Sequence, residues 1–303
     1  MMEERKITAP STDGIHTLSG VAFIPDGEIC GILQIIHGMT EYIMRYEGFM
    51  REMAEHGFLC FGYDQLGHGS TAKDDSELGF IAHEDGWKYL VEDTAVFPRI
   101  IKKEYGEELP YILLGHSMGS FTARLSAEKF NMHDKLIIMG TGGPNPAVDV
   151  GIKLCREKKH IKGEFHKSKL INNLAFGAYN KKFGYDDKHN WLSNIESVRA
   201  AYASDRLCNF DFTVSAMEDL FRLTKYSNRE KWFSSCVTEK PILILSGEDD
   251  PVGDYGMGPE IIHRLLESSG ANVRLILYKG CRHELLNDIC REKVISDILE
   301  FIS

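Results

Sequence analysis

The sequence places one serine between glycines, directly after an apolar run. The pentapeptide GHSMG (residues 115–119) follows Tyr111–Leu114 and precedes a stretch with helical spacing, Ser120–Phe130. In a sharp turn between a strand and a helix, flanking glycines let the backbone pass closely and leave the serine hydroxyl exposed. Amides at the start of the following helix favour negative charge near that hydroxyl. The pattern predicts that Ser117 is a nucleophile, although a glycine-rich turn without chemistry can have the same sequence.

A serine hydroxyl becomes a good nucleophile only when a base takes its proton and a third group orients that base. Two motifs late in the chain follow apolar runs, SGEDDPV (residues 246–252) and GCRHE (residues 280–284). They supply an acid and then a histidine after the serine, an order found in one large class of serine hydrolases. We therefore predict that His283 is the base and that Asp250 orients it. Asp249 remains the alternative acid, because only the conformational bias of the following proline favours its neighbour.

A loop near the start of the chain is the candidate for stabilising an oxyanion. HGMTE (residues 37–41) comes directly after the apolar run Gly31–Ile36. The small Gly38 would let this loop approach the nucleophile, and the amides of Met39 and Met118 would then donate to the oxyanion. Loss of one such donor typically costs about 2.7–4 kcal/mol in the transition state.

Two other histidines in strand-end loops are less suited to act as the base. His37 and His68 both precede the serine and so break the expected chain order. We interpret the loop DQLGHGS (residues 64–70) mainly as a structural neighbour of the site.

The elements that would position these motifs alternate between apolar runs and amphipathic stretches. Runs that are apolar on both faces are typical of strands in a parallel sheet covered by helices. They occupy Gly31–Ile36, Phe58–Tyr63, Tyr111–Leu114, Leu136–Met139, Ile242–Leu245 and Val273–Tyr278. Helical spacing occurs in Tyr46–His56, Trp87–Tyr105, Ser120–Phe130, Pro259–Ser269 and Asp288–Ile302. Before them, Ile7–Pro10 and Leu18–Pro25 predict a hairpin. The fold class is thus predicted to be α/β, with a mostly parallel sheet and helices on both faces.

The alternation stops between residues 141 and 239, where several short helical patterns replace it. This stretch contains the basic segment Lys153–Lys169, in which seven of seventeen residues are Lys or Arg. We predict an α/β core formed by residues 1–140 and 240–303, with residues 141–239 forming a helical cap or lid. Apolar residues of this insertion would hold an acyl chain while its lysines contact an anionic membrane surface. A packed helical subdomain with a solvated charged face is the alternative.

Composition limits the class of partner. The formal net charge is −10, with 45 acidic residues against 35 Lys and Arg, which argues against nucleic acid. The N-terminal residues lack the apolar core of a signal peptide, and no window is apolar enough to cross a bilayer. The seven cysteines include no C-x-x-C pair, so we expect a cytoplasmic protein. Oligomeric state is not indicated by the sequence.

The assembled motifs resemble those of a known family. The pieces HGMTEY, YDQLGHG, LLGHSMGS, SGEDDPVG and CRHELLND occur in the order and at the spacing of the monoacylglycerol lipase and lysophospholipase group of α/β-hydrolases, also described as serine aminopeptidase-like. The resemblance extends from about Gly31 to the C-terminus. It implies the α/β-hydrolase fold, the same triad and oxyanion amides, and an esterase acting on a single acyl chain beneath a lid. The chain departs from the family pattern at Asn194-Ile195, where Arg-Asp is usual, and at Arg206 and Asn209.

The predicted reaction is acyl transfer to water, with a monoacylglycerol or a lysophospholipid as the expected ester. His283 takes the proton of Ser117, which attacks the carbonyl, and water then cleaves the acyl-enzyme. We assign Gly38, His116 and Tyr179 to substrate binding, and the chemistry requires neither a metal nor an organic cofactor. A peptidase or thioesterase with the same triad is the alternative. A non-catalytic binder of a small ligand is less favoured, because candidates for all three triad positions are present.

Overall fold

A single sheet of eight strands forms the centre of the protein, whose computed structural model describes residues 2–236 and 240–303. The strands are β1 (Glu3–Pro10), β2 (Thr17–Ile24), β3 (Gly31–Ile36), β4 (Phe58–Tyr63), β5 (Tyr111–His116), β6 (Lys135–Met139), β7 (Ile242–Gly247) and β8 (Val273–Tyr278). Their order across the sheet is β1-β2-β4-β3-β5-β6-β7-β8. The predicted hairpin is confirmed, since β1 pairs with β2 in antiparallel fashion. β2 is also antiparallel to β4, and the remaining neighbours are parallel, so the sheet is mostly parallel as predicted.

Helices surround the sheet and continue into the insertion. They are α1 (Glu47–Glu55), α2 (Gly86–Asp93), α3 (Val96–Tyr105), α4 (Met118–Phe130), α5 (Ala147–Lys162), α6 (Lys169–Phe176), α7 (Glu196–Ser204), α8 (Val214–Ser227), α9 (Glu230–Ser235), α10 (Met257–Ser269) and α11 (Arg291–Ile302). Short 3-10 helices cover Ile43–Tyr46 and Leu285–Asn287. None of the helices in the described ranges is long and apolar enough to cross a membrane.

The alternation of side chains along the strands produces two cores, one on each face of the sheet. In β3, Leu33 and Ile35 pack with residues of α1 and α11 on one face. Ile32 and Ile36 point to the opposite face, where they join residues of α3, α4 and α10. Because both faces of the sheet are covered, the strands are apolar throughout, and they could therefore be predicted from the sequence.

The prediction of one helix over Trp87–Tyr105 is wrong, because the chain forms α2 and α3 there. Pro98 lies at the third position of α3 and has no N–H to donate to the carbonyl of Thr94. That carbonyl instead accepts a hydrogen bond from the buried side chain of Gln34 at 3.2 Å. The helical ladder is therefore interrupted at this point.

Helices α5–α9 lie between β6 and β7 in the chain, and we call residues 141–236 the insert. The insert shares a third apolar core with the rest of the protein, in which Leu220 and Leu223 of α8 meet Phe121 and Leu125 of α4. α8 therefore packs on the helix that begins directly after Ser117. The division of the chain at residues 141 and 239 stays a prediction, and residue 239 lies outside the described ranges.

One buried carboxylate connects the insert to the core at the start of α2. Asp219 of α8 accepts the amide of Trp87 through Oδ1 at 3.0 Å, while its Oδ2 has no hydrogen-bond partner among the described residues. Burial raises the pKa of Asp219 to about 7, from an ordinary value of 3.8. The folded state therefore binds the proton more tightly than the unfolded chain does, so stability falls as the pH rises from about 4 to about 7.

Asp219→Asn should raise the free energy of unfolding at pH 8 by about 1–3 kcal/mol. The amide keeps an acceptor for Trp87 and removes the buried charge, which costs about 1.4 kcal/mol per unit of pKa shift. An unpaired buried amide N–H offsets part of this gain. Urea denaturation at pH 8 and at pH 4 measures the difference, which should shrink toward the lower pH. A difference between variant and wild type that is the same at both values would contradict the titration of Asp219.

Candidate active site

Ser117 occupies a turn whose backbone is strained. It lies between the end of β5 and the start of α4 with φ 54° and ψ −121°, in a region that residues with a Cβ rarely adopt. Glycines make the turn possible on both sides. A Cβ on Gly115 would lie 2.3 Å from the carbonyl oxygen of Gly119, and one on Gly119 would lie 2.1 Å from that of Ile36. The glycines of the pentapeptide are thus required by close backbone contacts.

The loop after β3 lies against this turn. A Cβ on Gly38 would be 3.0 Å from the Cβ of Ser117, so the loop passes directly beside the candidate nucleophile. Within the described structure, the amides of Met39 and Met118 donate no hydrogen bond to a protein acceptor. Met39 directly follows Gly38, and Met118 directly follows Ser117. The two amides therefore belong to the segments that approach each other here, as an oxyanion site built from two amides requires.

Two buried histidines hold the loop after β3 from behind. The amide of Thr40 donates to Nε2 of His68 at 3.2 Å, and the amide of Gln65 donates to Nε2 of His37 at 3.0 Å. Both histidines therefore act on backbone groups here, in agreement with a structural interpretation of the DQLGHGS loop.

Asp250 and His283 are brought together at the carboxyl ends of β7 and β8. Nδ1 of His283 lies 2.9 Å from Oδ2 of Asp250, and both side chains are buried. Oδ1 of Asp250 accepts the amide of Val252 at 2.8 Å, which fixes the carboxylate. The neighbouring Asp249 instead forms an ion pair with Lys182 of the insert. The geometry therefore favours Asp250 as the group that orients the histidine.

A cavity of about 890 Å³ opens onto Ser117 and His283. Ser117 and His283 line it together with Met39 and Met118. Much of the remaining wall is apolar and comes from the insert, namely Val148, Val150, Leu154, Ile171, Leu174, Ala175, Phe176, Tyr179, Trp191, Leu192, Phe210, Leu220 and Phe221. The volume falls within the range of pockets that enclose small organic ligands.

The residues assigned to substrate binding occupy different positions in this cavity. Gly38 and Tyr179 line it, and the ring of Tyr179 packs edge-on against Trp191 with centroids 5.0 Å apart. His116 also lines it, but both of its ring nitrogens face protein groups. Nδ1 lies 2.8 Å from the hydroxyl of Tyr46, and Nε2 lies 3.3 Å from the carbonyl oxygen of His283. The substrate-binding role of these three residues stays a prediction.

The predicted lid was not assigned any contact with the candidate base, and the structure shows that the insert lies against it. The ring of Trp191 lies against His283 with centroids 5.1 Å apart. The guanidinium of Arg282 donates to the carbonyls of Asn190 and Ser193 at 2.5 and 3.0 Å. The amide of Glu284 donates to the carbonyl of Leu192 at 2.8 Å. Segment 190–194 is therefore joined to the histidine loop on both sides of His283.

One departure from the family pattern lies in this contact. The side-chain amide of Asn194 donates to the carbonyl of Gly280 at 2.8 Å and to Oδ2 of Asp288 at 3.1 Å. Asp288 Oδ2 also accepts the amide of Arg282 at 2.8 Å. The residue at position 194 thus contributes to the support of the histidine loop.

The described residues contain no cluster of three or more His, Cys, Asp or Glu side chains arranged to hold a metal ion. The groups gathered at the cavity are instead a hydroxyl, an imidazole, a carboxylate and free amides. These groups suit nucleophilic attack on a carbonyl with stabilisation of the resulting oxyanion.

Comparison of the chain with known proteins identifies its family. The model of the family described as serine aminopeptidase, S33, matches residues 27–289. The chain belongs to this family. It is a hydrolase with the α/β-hydrolase fold and the resemblance inferred from its motifs is confirmed, since monoglyceride lipases are among its relatives.

Two relatives and one solved structure illustrate the similarity. The monoglyceride lipase of Homo sapiens is 32% identical over 275 residues, which cover 88% of this chain and 79% of the relative. The monoacylglycerol lipase of Mycolicibacterium smegmatis is 22% identical over 305 residues, covering 96% of this chain and 98% of the relative. A thermostable carboxyl esterase from Bacillus coagulans, solved in complex with glycerol, has a TM-score of 0.91 at 26% identity and covers 100% of both chains.

Asp250→Asn should lower kcat for a chromogenic ester by about 10⁴-fold, because the amide favours the wrong tautomer of His283. Asp249→Asn is the matched control and should change kcat less than threefold, since its carboxylate pairs with Lys182 at the surface. Steady-state kinetics of the two purified variants make the comparison. A large loss in the Asp249 variant with a normal Asp250 variant would reverse the assignment of the acid.

Proposed function

We propose that the protein is a serine hydrolase that cleaves the ester bond of a lipid with a single acyl chain, such as a monoacylglycerol or a lysophospholipid. One observation carries the proposal. A strained serine turn and His283 line one cavity whose walls are mainly apolar, and the buried Asp250 holds His283 from behind.

The reaction begins at Ser117. Nε2 of His283 accepts the hydroxyl proton as the oxygen attacks the ester carbonyl, and the amides of Met39 and Met118 donate to the oxyanion. The tetrahedral species collapses, His283 returns the proton to the leaving alcohol, and an acyl-enzyme remains. Water, deprotonated by the same imidazole, attacks the acyl-enzyme, the imidazolium returns the proton to the departing oxygen of Ser117, and the fatty acid is released. Asp250 keeps the Nδ1 proton of His283 directed toward itself throughout.

The walls of the cavity support a lipid as the acyl donor. A cavity of about 890 Å³ is much larger than an acetyl group needs, and its apolar lining continues from the serine into α5, α6 and α8. The relatives named monoglyceride lipase and the esterase solved with glycerol agree with an acylglycerol substrate.

The buried carboxylates of the cavity favour an ester over an aminopeptidase substrate. An aminopeptidase binds the ammonium group of its substrate, which calls for an unpaired carboxylate near the serine. Four carboxylates line the cavity within the described residues. Glu41 and Glu284 are buried and both are paired with Arg45, whereas Asp211 and Asp254 are exposed. Neither buried carboxylate is therefore available to a substrate ammonium group.

Ser117→Ala should abolish hydrolysis of monoacylglycerols, with a loss of about 10⁶-fold in kcat and an unchanged circular dichroism spectrum. In the wild type, kcat/KM should rise from acetyl to medium-chain esters by up to about fourfold per methylene, because each buried methylene contributes about 0.8 kcal/mol. Hydrolysis of an acyl-chain series measures both. Near-normal turnover in the serine variant would overturn the nucleophile, and equal rates for all chain lengths would overturn the acyl site.

The rim of the cavity supports a transient contact with an anionic membrane surface. Val150 of α5 and Leu174 of α6 line the cavity and yet are 61% and 66% exposed. Lys153 follows Val150 on the same face of α5, three residues along the helix. An apolar rim flanked by lysines is suited to the interface between lipid headgroups and acyl chains.

Replacement of Lys153, Lys162 and Lys169 by Gln should weaken binding to vesicles that contain phosphatidylserine by about 10²-fold. Each lysine near an anionic surface contributes about 1 kcal/mol. A variant with Gln at Lys73, Lys103 and Lys279, exposed lysines outside the insert, is the matched control and should bind as the wild type does. Cosedimentation at low and high salt measures the binding. Equal weakening by both variants would mean that net charge alone governs the contact.

A further inference from the structure

A buried carboxylate beside the nucleophile is surrounded by hydrogen-bond donors. Oε1 of Glu41 accepts the amide of Gly38 at 2.5 Å and the hydroxyl of Tyr46 at 2.8 Å, and it lies 3.1 Å from Nδ1 of His116. Oε2 accepts from Nη1 of Arg45 at 2.9 Å. Glu41 is only 3% exposed. An ionised carboxylate accepts from the amide of Gly38, the hydroxyl of Tyr46 and the guanidinium of Arg45, whereas a protonated carboxyl keeps these contacts only if the hydroxyl of Tyr46 accepts from it and donates to His116 instead.

The hydrogen bonds around His116 determine its protonation. The single hydroxyl hydrogen of Tyr46 goes to Glu41, so the oxygen of Tyr46 faces Nδ1 of His116 as an acceptor. Nε2 of His116 faces the carbonyl oxygen of His283, which is also an acceptor. A neutral imidazole has one N–H and would leave one of these contacts without a hydrogen. With Tyr46 donating to Glu41, this geometry places N–H groups on both nitrogens, so that His116 is an imidazolium.

The electrostatics of the pair agree with this geometry. Burial alone would lower the pKa of His116, but its hydrogen bond with Glu41 and the charges of Glu41 and Glu284 raise it above its ordinary value. Burial alone would raise the pKa of Glu41, but its hydrogen bond with His116 and the charges of His116, Arg45 and His37 hold it well below the usual range. Each group is thus stabilised in its charged form by the other.

Arg45 connects the same carboxylate to the histidine loop by a second route. Its Nη1 and Nη2 donate to the two carboxylate oxygens of Glu284, each at 2.7 Å. Glu284 directly follows His283 in the chain. The loop that contains the base is therefore connected to Glu41 through the carbonyl of His283 and through the side chain of the next residue.

We propose that His116 and Glu41 form a buried imidazolium–carboxylate pair that positions three catalytic segments relative to one another. Glu41 holds the oxyanion loop at Gly38, His116 directly precedes the nucleophile Ser117, and its Nε2–H holds the backbone of His283. Both are positioning residues, acting through groups that touch the substrate. The inference rests on the proposed function, because it assumes that Ser117 and His283 are the reacting groups.

The protonation of His116 is tested first on the wild-type protein. With histidine labelled with ¹⁵N, NMR correlation of ring nitrogens and carbons at pH 7 should give a signal of His116 with protons on both nitrogens, beside that of His16, whose ring nitrogens face Asp13 and Glu77. This signal should vanish in His116→Gln and persist in His133→Gln, which removes another buried histidine outside the cavity lining. A neutral tautomer of His116 at pH 7 would overturn the proposal without any reference to activity.

The positioning role is tested by kinetics and by two classes of inhibitor. Glu41→Gln and His116→Gln should each lower kcat by about 10²-fold with little change in KM, as expected when reacting groups are misplaced by about 1 Å. A long-chain alkyl boronic acid, which forms a tetrahedral anion on the serine, should bind more weakly by a similar factor. A non-hydrolysable ether analogue of a monoacylglycerol should bind as it does to the wild type, and His133→Gln should change none of these quantities.

Two outcomes of the inhibitor comparison have opposite meanings. Selective loss of boronate affinity supports positioning of the transition state, whereas equal loss of ether and boronate affinity would mean that the cavity has merely lost its shape. If Glu41→Gln does not fold, Tyr46→Phe removes one donor and leaves both charges in place. It should give a smaller but still selective loss, and an unchanged boronate affinity in this variant and in His116→Gln would overturn the proposal.

Failure of this inference differs from failure of the proposed function. If Ser117→Ala is inactive while Glu41→Gln and His116→Gln have wild-type kcat, the hydrolase stands and the positioning pair is rejected. If Ser117→Ala keeps its activity, the hydrolase assignment fails, whereas the protonation of His116 measured by NMR is unaffected.

Discussion

Close backbone contact between the turn at Ser117 and the end of β3 is the constraint on which the rest of the site depends. Gly119 lies so near the carbonyl oxygens of Ile36 and His37 that a Cβ there would be 2.1 and 2.5 Å from them. A serine with positive φ costs on the order of 1–3 kcal/mol and persists only where its surroundings fix it. Here the neighbouring strands fix it, because β5 is hydrogen-bonded between β3 and β6. The same parallel pairing directs the loops after β3, β5, β7 and β8 to one edge of the sheet.

The insert contacts the candidate active site in two different ways. α8 packs on α4, so the helix that starts after Ser117 has its apolar face buried by the insert. Segment 190–194 is hydrogen-bonded to the histidine loop, and its Trp191 lies against His283. By contrast, Val150 and Leu174 are exposed at the rim. The inner part of the insert therefore packs against the elements that carry Ser117 and His283, while its outer part is exposed beside the cavity.

Sequence patterns were sufficient where the relevant physics is local. Apolar runs, helical spacing and the GHSMG turn each extend over a few neighbouring residues, so the strands and the position of Ser117 could be predicted. The break between α2 and α3 was missed because it depends on Gln34, a residue some sixty positions away that occupies the carbonyl left free by Pro98. Asp249 and Asp250 could not be separated with certainty, since the difference lies in which carboxylate faces His283 across β7 and β8. The contacts of Glu41 and Trp191 were invisible for the same reason, because their partners are distant in the chain.

The insert connects two neighbouring strands of the sheet, and this position determines which amino-acid substitutions the protein tolerates. The chain leaves the sheet at Met139 and re-enters it at Ile242, and the two strands concerned are parallel neighbours. An exchange of residues in α5 or α6 therefore leaves the spacing between the loops after β3, β5 and β8 untouched. Segment 190–194 has no such freedom, because each change there reaches the histidine loop directly. Substitutions that alter substrate preference are therefore tolerated more readily at the rim than beside Trp191. Related proteins can keep the same arrangement of loops and differ in the substrates they accept.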